Sequence, residues 1–347
     1  MNIHLAPMEG VLDHHMRALL TGLGGYSHCV TEFIRVVDRL LPARVFYRYC
    51  PELRHGGRTT AGTPVVVQLL GGIAEVVAMN AERAAKLGAL GIDINFGCPS
   101  RFVNRKAGGA VLLKEPQRVH EITRAVRAVV PAHIPVSAKI RLGYENSDLA
   151  LENAHAVQEA GANYITVHAR TKADGYKHPA RWEWLARINE ALTIPVIANG
   201  DINSADDYRR CHEISGCNNI MIGRGALARP DLAQQIKATQ QGESIEAVKW
   251  RDIIPLLLEL SHTLKQSDTS KGRYISARIK QWLAYLKRNY GEAQQSFEQI
   301  RSLNDHEQIV ALLQQQRRID FTSKYFIPKI TVVKSTNTDT SSQVDNN

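Results

Sequence analysis

The chain has 347 residues, 44% of them apolar, and a formal net charge of +9. That length allows one large domain and a smaller one, and no uninterrupted apolar run is long enough to span a bilayer. Five cysteines with no C-x-x-C pair argue against a structural zinc site and for free thiols in a reducing compartment. The positive charge favours polyanionic partners, although its placement matters more than its sum. The opening MNIHLAPMEG has no basic segment followed by an apolar one, so a cytoplasmic protein is expected, without membrane or metal and as a monomer.

From the N-terminus, apolar runs of strand length alternate with amphipathic stretches. The runs cover 3–7, 29–33, 64–71, 91–96, 135–142, 164–169, 195–199 and 219–223. Between them lie segments such as AERAAKLGALG and HAVQEAGA, with helical spacing and a closing glycine. Such alternation implies parallel strands joined by right-handed crossovers. Eight units predict an α/β fold of the (β/α)8 TIM barrel type; an open doubly wound sheet is the alternative. After about residue 242 the alternation stops, and apolar residues fall at helical spacing over 250–264, 275–288 and 293–303. The expected organisation is a barrel over 1–242, an all-helical domain over 243–318 and a tail over 319–347, polar and disordered after 335.

Parallel barrel strands are normally near-continuous apolar runs. Polar residues at their C-terminal ends therefore suggest a site, because barrel active sites form at that face. Gln68 closes the third run and Asn95 the fourth. Lys139 and Arg141 share one face of the fifth, and His168 and Arg170 one face of the sixth. Each alone reads best as a satisfied strand end; together they predict a lined pocket. The seventh and eighth connections, Asn199-Gly200-Asp201 and Gly223-Arg224-Gly225, fall where barrels commonly bind phosphate. Their glycines free backbone N–H groups, and Arg224 adds a charge-assisted contact. Lys139 fits either a Schiff base or the holding of negative charge on a reduced flavin, and composition leaves both open.

Cys98 follows the fourth strand in INFGCPS, at the catalytic face, with Pro99 keeping it extended. Most cysteines are small buried hydrophobes, but one at a barrel mouth suits a nucleophile or a proton donor. The loop from Asn104 to Gly109 is polar and glycine-bearing, and is expected to close over a ligand. Farther on, Lys265, Lys271, Arg273, Arg278, Lys280, Lys287 and Arg288 are opposed only by Asp268, with four aromatic residues interleaved. Ile275, Ile279, Trp282, Leu283 and Leu286 form one apolar helical face, which places Trp282 in a core. Arg278 and Tyr285 flank that face and are expected to contact an RNA backbone; a solvated charged helix is the bland alternative.

The fragments LAPMEGVLD, TEFIRVVD, VQLLGG, DINFGCPS, AKIRLGY, VHARTKADGY, IANGDI and MIGRGAL occur in this order. Together they resemble the tRNA-dihydrouridine synthase family from the N-terminus to about residue 316. LAPMEGV and TEFIRV look most like its C subfamily, which acts on uridine 16 of tRNA. The resemblance implies FMN at the barrel mouth and NADPH as reductant. It implies that Pro7, Met8 and Glu9 border the flavin, that Gln68, Lys139 and His168 contact its ring, and that Asn199, Gly200, Asp201, Gly223 and Arg224 hold its phosphate. Cys98 matches the family's proton donor. Asn95, Arg141 and Tyr176 are expected at the target uracil, and Arg35, Lys271, Arg273 and Arg278 on the tRNA. A flavin reductase of a free pyrimidine and a lysine-dependent barrel aldolase are the competing enzyme readings, and a tRNA-binding protein without catalysis is the non-enzyme one.

Overall fold

The computed structural model describes residues 1–105, 107–267, 272–317 and 332–333. Its apolar runs form β1 (Ile3–Leu5), β2 (His28–Val30), β3 (Ile34–Arg35), β4 (Val65–Leu70), β5 (Ile92–Phe96), β6 (Val136–Arg141), β7 (Tyr164–His168), β8 (Val196–Asn199) and β9 (Asn219–Ile222). These pair in parallel around a closed ring, in which β1 joins β9 and β2 joins both β1 and β4. β3 pairs with β4 beyond β2, so β2 and β3 are two parts of one barrel strand. The break falls at Thr31, whose hydroxyl accepts from Gln68 N (3.0 Å) in place of a backbone carbonyl. The eight expected strands are therefore all present, and ring closure excludes the open doubly wound alternative.

Strand alternation sends every second side chain inward. These include Ala6, Val30, Val66, Ile197 and Met221, a small apolar cluster with Tyr164 packed against it. The rings of His4 and His28 lie tilted by 55° with centroids 3.7 Å apart, beside Tyr164. Higher up, the inward residues are Gln68, Asp93, Asn95, Ser137, Lys139, Arg141 and His168. The apolar core proper lies outside the ring, between strands and helices such as Ala74–Lys86 and Pro116–Val129.

Among the described residues four helices follow the barrel: Trp250–Gln266, Gly272–Leu286, Gly291–Ile300 and His306–Arg317. Three match the expected spans to within a few residues; the fourth had no separate expectation. Ile253, Leu257, Leu260 and Leu264 on the first face Ile275, Ile279, Leu283 and Leu286 on the second, all buried in the same core as the barrel's outer layer. Ser244–Ile245, expected to lack strand, pairs antiparallel with Val332–Val333. The expected disorder after 335 lies outside the described residues.

The second of these helices, Gly272–Leu286, seats the bundle on the barrel. Trp282 is 1% exposed, as its place on the apolar face predicts. Its Nε1 donates to Leu227 O (3.1 Å) in the short helix Arg224–Ala228 that follows β9, and Asn289 Nδ2 donates to Ala228 O (3.0 Å). Trp282→Ala is expected to cost about 3–5 kcal/mol of unfolding free energy through the cavity it leaves. Urea denaturation followed by circular dichroism measures this directly.

Candidate active site at the barrel mouth

A cavity of about 560 Å³ opens at the C-terminal ends of the strands. It is lined by Pro7, Met8, Glu9, Gln68, Asn95, Cys98, Lys139, Arg141, His168, Tyr176, Asn199, Gly200, Asp201, Gly223 and Arg224. Every cofactor, uracil and proton-donor candidate read from the sequence thus meets in one space. Residues that the sequence reading did not single out also line it, among them Val11, Phe33, Ser100 and Asn203. Phe33 is an apolar residue at a strand end, with no chemistry to flag it. Tyr285 reaches the same wall from the helical bundle.

One side of the cavity is cationic and glycine-rich. A Cβ on Gly223 would lie 3.2 Å from Met8 Sδ, and one on Gly225 only 2.4 Å from Ile202 O. Gly200 has φ +126°, and a Cβ there would press on the His168 ring at 3.2 Å. The two loops therefore approach closely only because side chains are missing. Lys139 Nζ donates to Asn199 Oδ1 (2.9 Å), whose amide nitrogen donates to Met221 O (2.8 Å). Burial, reinforced by the neighbouring Arg141, pushes the Lys139 ammonium down to about 7. His168 is held well below its ordinary range by burial first, then by Arg141, Lys139, Arg170 and Arg224, so its ring is neutral at pH 7. Asp201, expected to hold phosphate, instead turns its carboxylate to Arg170 and to Ala180 N (2.8 Å), with Arg224 at 3.6 Å. A carboxylate bracing two arginines offers a phosphate only its backbone N–H.

Across the cavity Cys98 is 8% exposed, and burial raises its thiol above the ordinary value. Its carbonyl accepts from Asn104 Nδ2 (3.0 Å) and Ala110 N (3.1 Å). Arg141 braces two loops, donating from Nε to Gly97 O (2.8 Å) and from Nη1 to Thr171 O (3.0 Å). Tyr176, 55% exposed, lies against the guanidinium groups of Arg224 (4.5 Å) and Arg141 (5.3 Å) like a loose cover.

The basic segment differs from its expectation. Arg278 is 5% exposed and points inward rather than toward an RNA. It donates to Gly10 O (3.1 Å), Val11 O (2.9 Å) and Asp13 Oδ2 (2.9 Å), gripping the loop that carries Pro7, Met8 and Glu9. The apolar face of its helix packs on the barrel, so a residue at the margin of that face meets barrel carbonyls. Lys280 is spent on the carbonyls of Arg301 and Leu303, and Lys265 on Glu307 (2.7 Å). Arg273 and Arg288 are exposed; Lys271 lies outside the described residues. Arg35 is outside the main cavity, stacked at 4.2 Å on Phe102 at the edge of a second, smaller hollow of about 170 Å³.

A family model described as dihydrouridine synthase matches residues 4–319. The chain belongs to the dihydrouridine synthase family. It is 52% identical over 313 residues to a protein of Aquipseudomonas alcaligenes named tRNA-dihydrouridine(16) synthase, covering 90% of this chain and 99% of that one. Proteins with the same name from Shewanella oneidensis and Escherichia coli O157:H7 are 51% and 47% identical, covering 91% and 90% of this chain and 98% of each relative. In this chain a thiol stands on one wall of the cavity and an amine with two glycine loops on the other. Among the described residues, no helix is long and apolar enough to cross a membrane, and no group of three or more His, Cys, Asp or Glu could hold a metal ion.

The lysine yields a pH prediction. The folded chain releases the Lys139 proton near pH 7, whereas the unfolded chain keeps it to its ordinary value of 10.5. Its contribution to stability therefore rises with pH between those values and is lowest below about 7. Competitive acylation across pH, read by peptide mass spectrometry, is expected to give Lys139 a midpoint near 7; a midpoint near those of the exposed lysines would contradict the burial argument.

Proposed function

We propose that this chain reduces the C5=C6 bond of uridine in tRNA to 5,6-dihydrouridine, at position 16 of the D-loop, with FMN as cofactor and NADPH as reductant. The observation that carries the reading is the convergence of Cys98 with Lys139, Gln68 and two glycine loops on one cavity, in a chain about half identical to proteins named for that reaction. The cavity suits an anionic planar cofactor. Its volume lies within the usual range for such sites, and Gly223 and Gly225 let the loops on its wall pack closely where a Cβ would clash. Lys139 and Arg224 supply positive charge there, and Gln68 supplies an amide.

Gln68, Lys139, His168, Asn199, Gly200, Gly223 and Arg224 would hold FMN, which, reduced by NADPH, would supply hydride to uracil C6. Cys98 supplies the proton for C5 from the other side. Burial keeps the thiol protonated at neutral pH, as an acid requires. Lys139, protonated beside an anion, stabilises negative charge on that side of the cavity. Asn95, Arg141 and Tyr176 border the space left for a base swung out of its stack. The protein is read as a cytoplasmic monomer with a barrel and a tRNA-binding helical bundle. Arg35 and Arg273 are assigned to the tRNA backbone.

Cys98→Ala is expected to keep FMN and lower dihydrouridine formation by at least about 100-fold, the contribution of a positioned acid. Mass-spectrometric mapping of tRNA from a deletion strain complemented with each form reads both extent and position. Wild-type yield from the variant would remove Cys98 from the chemistry, and loss at a position other than 16 would correct the specificity. Arg35→Ala combined with Arg273→Ala is expected to weaken tRNA binding while FMN absorbance stays unchanged. The slope of log affinity against log salt should become shallower by about 0.7–0.9 for each phosphate contact removed.

A further inference from the structure

From the cavity wall a buried chain of hydrogen bonds runs down into the barrel, and its far end, Asp93 with Ser137, has no part in the proposed chemistry. Ser137 Oγ donates to Asp93 Oδ1 (2.6 Å), and Gln68 Nε2 donates to Asp93 Oδ2 (2.6 Å). Asn95 Nδ2 donates to Gln68 Oε1 (2.8 Å). Asn95 Oδ1 in turn accepts from the backbone N–H groups of Gly97 (2.9 Å) and Cys98 (2.9 Å). Gln68 and Ser137 are fully buried, Asp93 is 1% exposed and Asn95 8%.

An amide side chain has nearly the same shape either way round, and its orientation is set by its partners. Here both ends of the chain dictate it. A backbone N–H can only donate, so Asn95 must turn its oxygen to Cys98. Its nitrogen then faces Gln68, which must offer oxygen and aim its own nitrogen at residue 93. An ionised aspartate only accepts, and it receives Gln68 on one oxygen and Ser137 on the other. Packing does not call for this: strands of a parallel barrel are usually apolar, and a buried carboxylate is costly unless its bonds serve something.

We propose that Asp93 is a positioning residue, which through the fixed polarity of Gln68 and Asn95 holds the Gly97–Cys98 backbone and thereby places the proton-donating thiol. The thiol's role rests on the function proposed above; the placement does not. The same polarity decides which end of the Gln68 amide is offered to a ring in the cavity.

The test compares Asp93→Leu, which removes both acceptors at similar size, with Asp93→Asn. Asparagine keeps an oxygen for Gln68, and its nitrogen can meet a Ser137 hydroxyl that turns to accept. The readout is the rate of Cys98 alkylation by iodoacetamide in the purified protein, with the four other cysteines, all buried, as internal controls. Asp93→Leu is expected to react faster by about fivefold or more, the scale of one lost hydrogen bond, and Asp93→Asn to stay within about twofold of wild type. With tRNA, kcat should fall in Asp93→Leu while KM holds. A cooperatively folded Asp93→Leu with wild-type alkylation would overturn the proposal, as would an Asp93→Asn as disturbed as the leucine variant. If Asp93→Leu does not fold, Gln68→Leu breaks the next link, read by the alkylation threshold alone because Gln68 itself lines the cavity. A wild-type protein that forms no dihydrouridine would sink the proposed function, while the alkylation rates would still decide the placement.

Discussion

Inside a closed ring of strands, a polar side chain has no solvent to turn to and must find its partners on neighbouring strands. The upper barrel of this protein follows from that requirement. Registration of β5 with β6 sets Asn95 beside Lys139, and registration of β7 with β8 sets His168 beside Asn199. Once those neighbours are fixed, each group's protonation and orientation follow. His168 is buried, with cations around it, and stays neutral. Lys139 has one amide oxygen as partner and a lowered affinity for its proton. Asp93 is raised to about 6 by burial, against the hydrogen bonds of Ser137 and Gln68 and the charge of Lys139. The site is thus arranged before any ligand enters, which spares reorganisation during reaction.

The helical bundle is part of the same arrangement. Its second helix touches the barrel at the loops after β1 and β9. Arg278 grips Gly10, Val11 and Asp13, while Trp282 and Asn289 bond the helix that starts at Arg224. Those loops carry residues from opposite sides of the cavity wall. The bundle therefore shapes the cavity from outside, besides any contact with RNA. A basic stretch in a chain is only a count of charges. Here one guanidinium is buried in a loop, one ammonium caps a helix end and another meets a glutamate, and the exposed basic surface is smaller than the stretch suggests.

The strands, the helical segment and the cavity's chemical poles were legible in the amino-acid sequence, because each rests on short-range pattern. Alternating runs repeat eight times, glycines mark the two loops, and a lone cysteine follows β5. The family motifs carried the same information in another form. Other features were set by residues distant in the chain. The break between β2 and β3 depends on a hydroxyl meeting a backbone N–H 37 positions away. Arg278 turned inward because its partners lie more than 260 positions earlier, and helical periodicity cannot report what an apolar face packs against. Asp93 carried no local signal, since only the pairing of β5 with β6 brings Ser137 to its other oxygen. Local spacing determined which chemical groups are present and at which end of the barrel. Tertiary packing decided their partners, because orientation and proton affinity in a low-dielectric interior depend on neighbours that the chain order does not name.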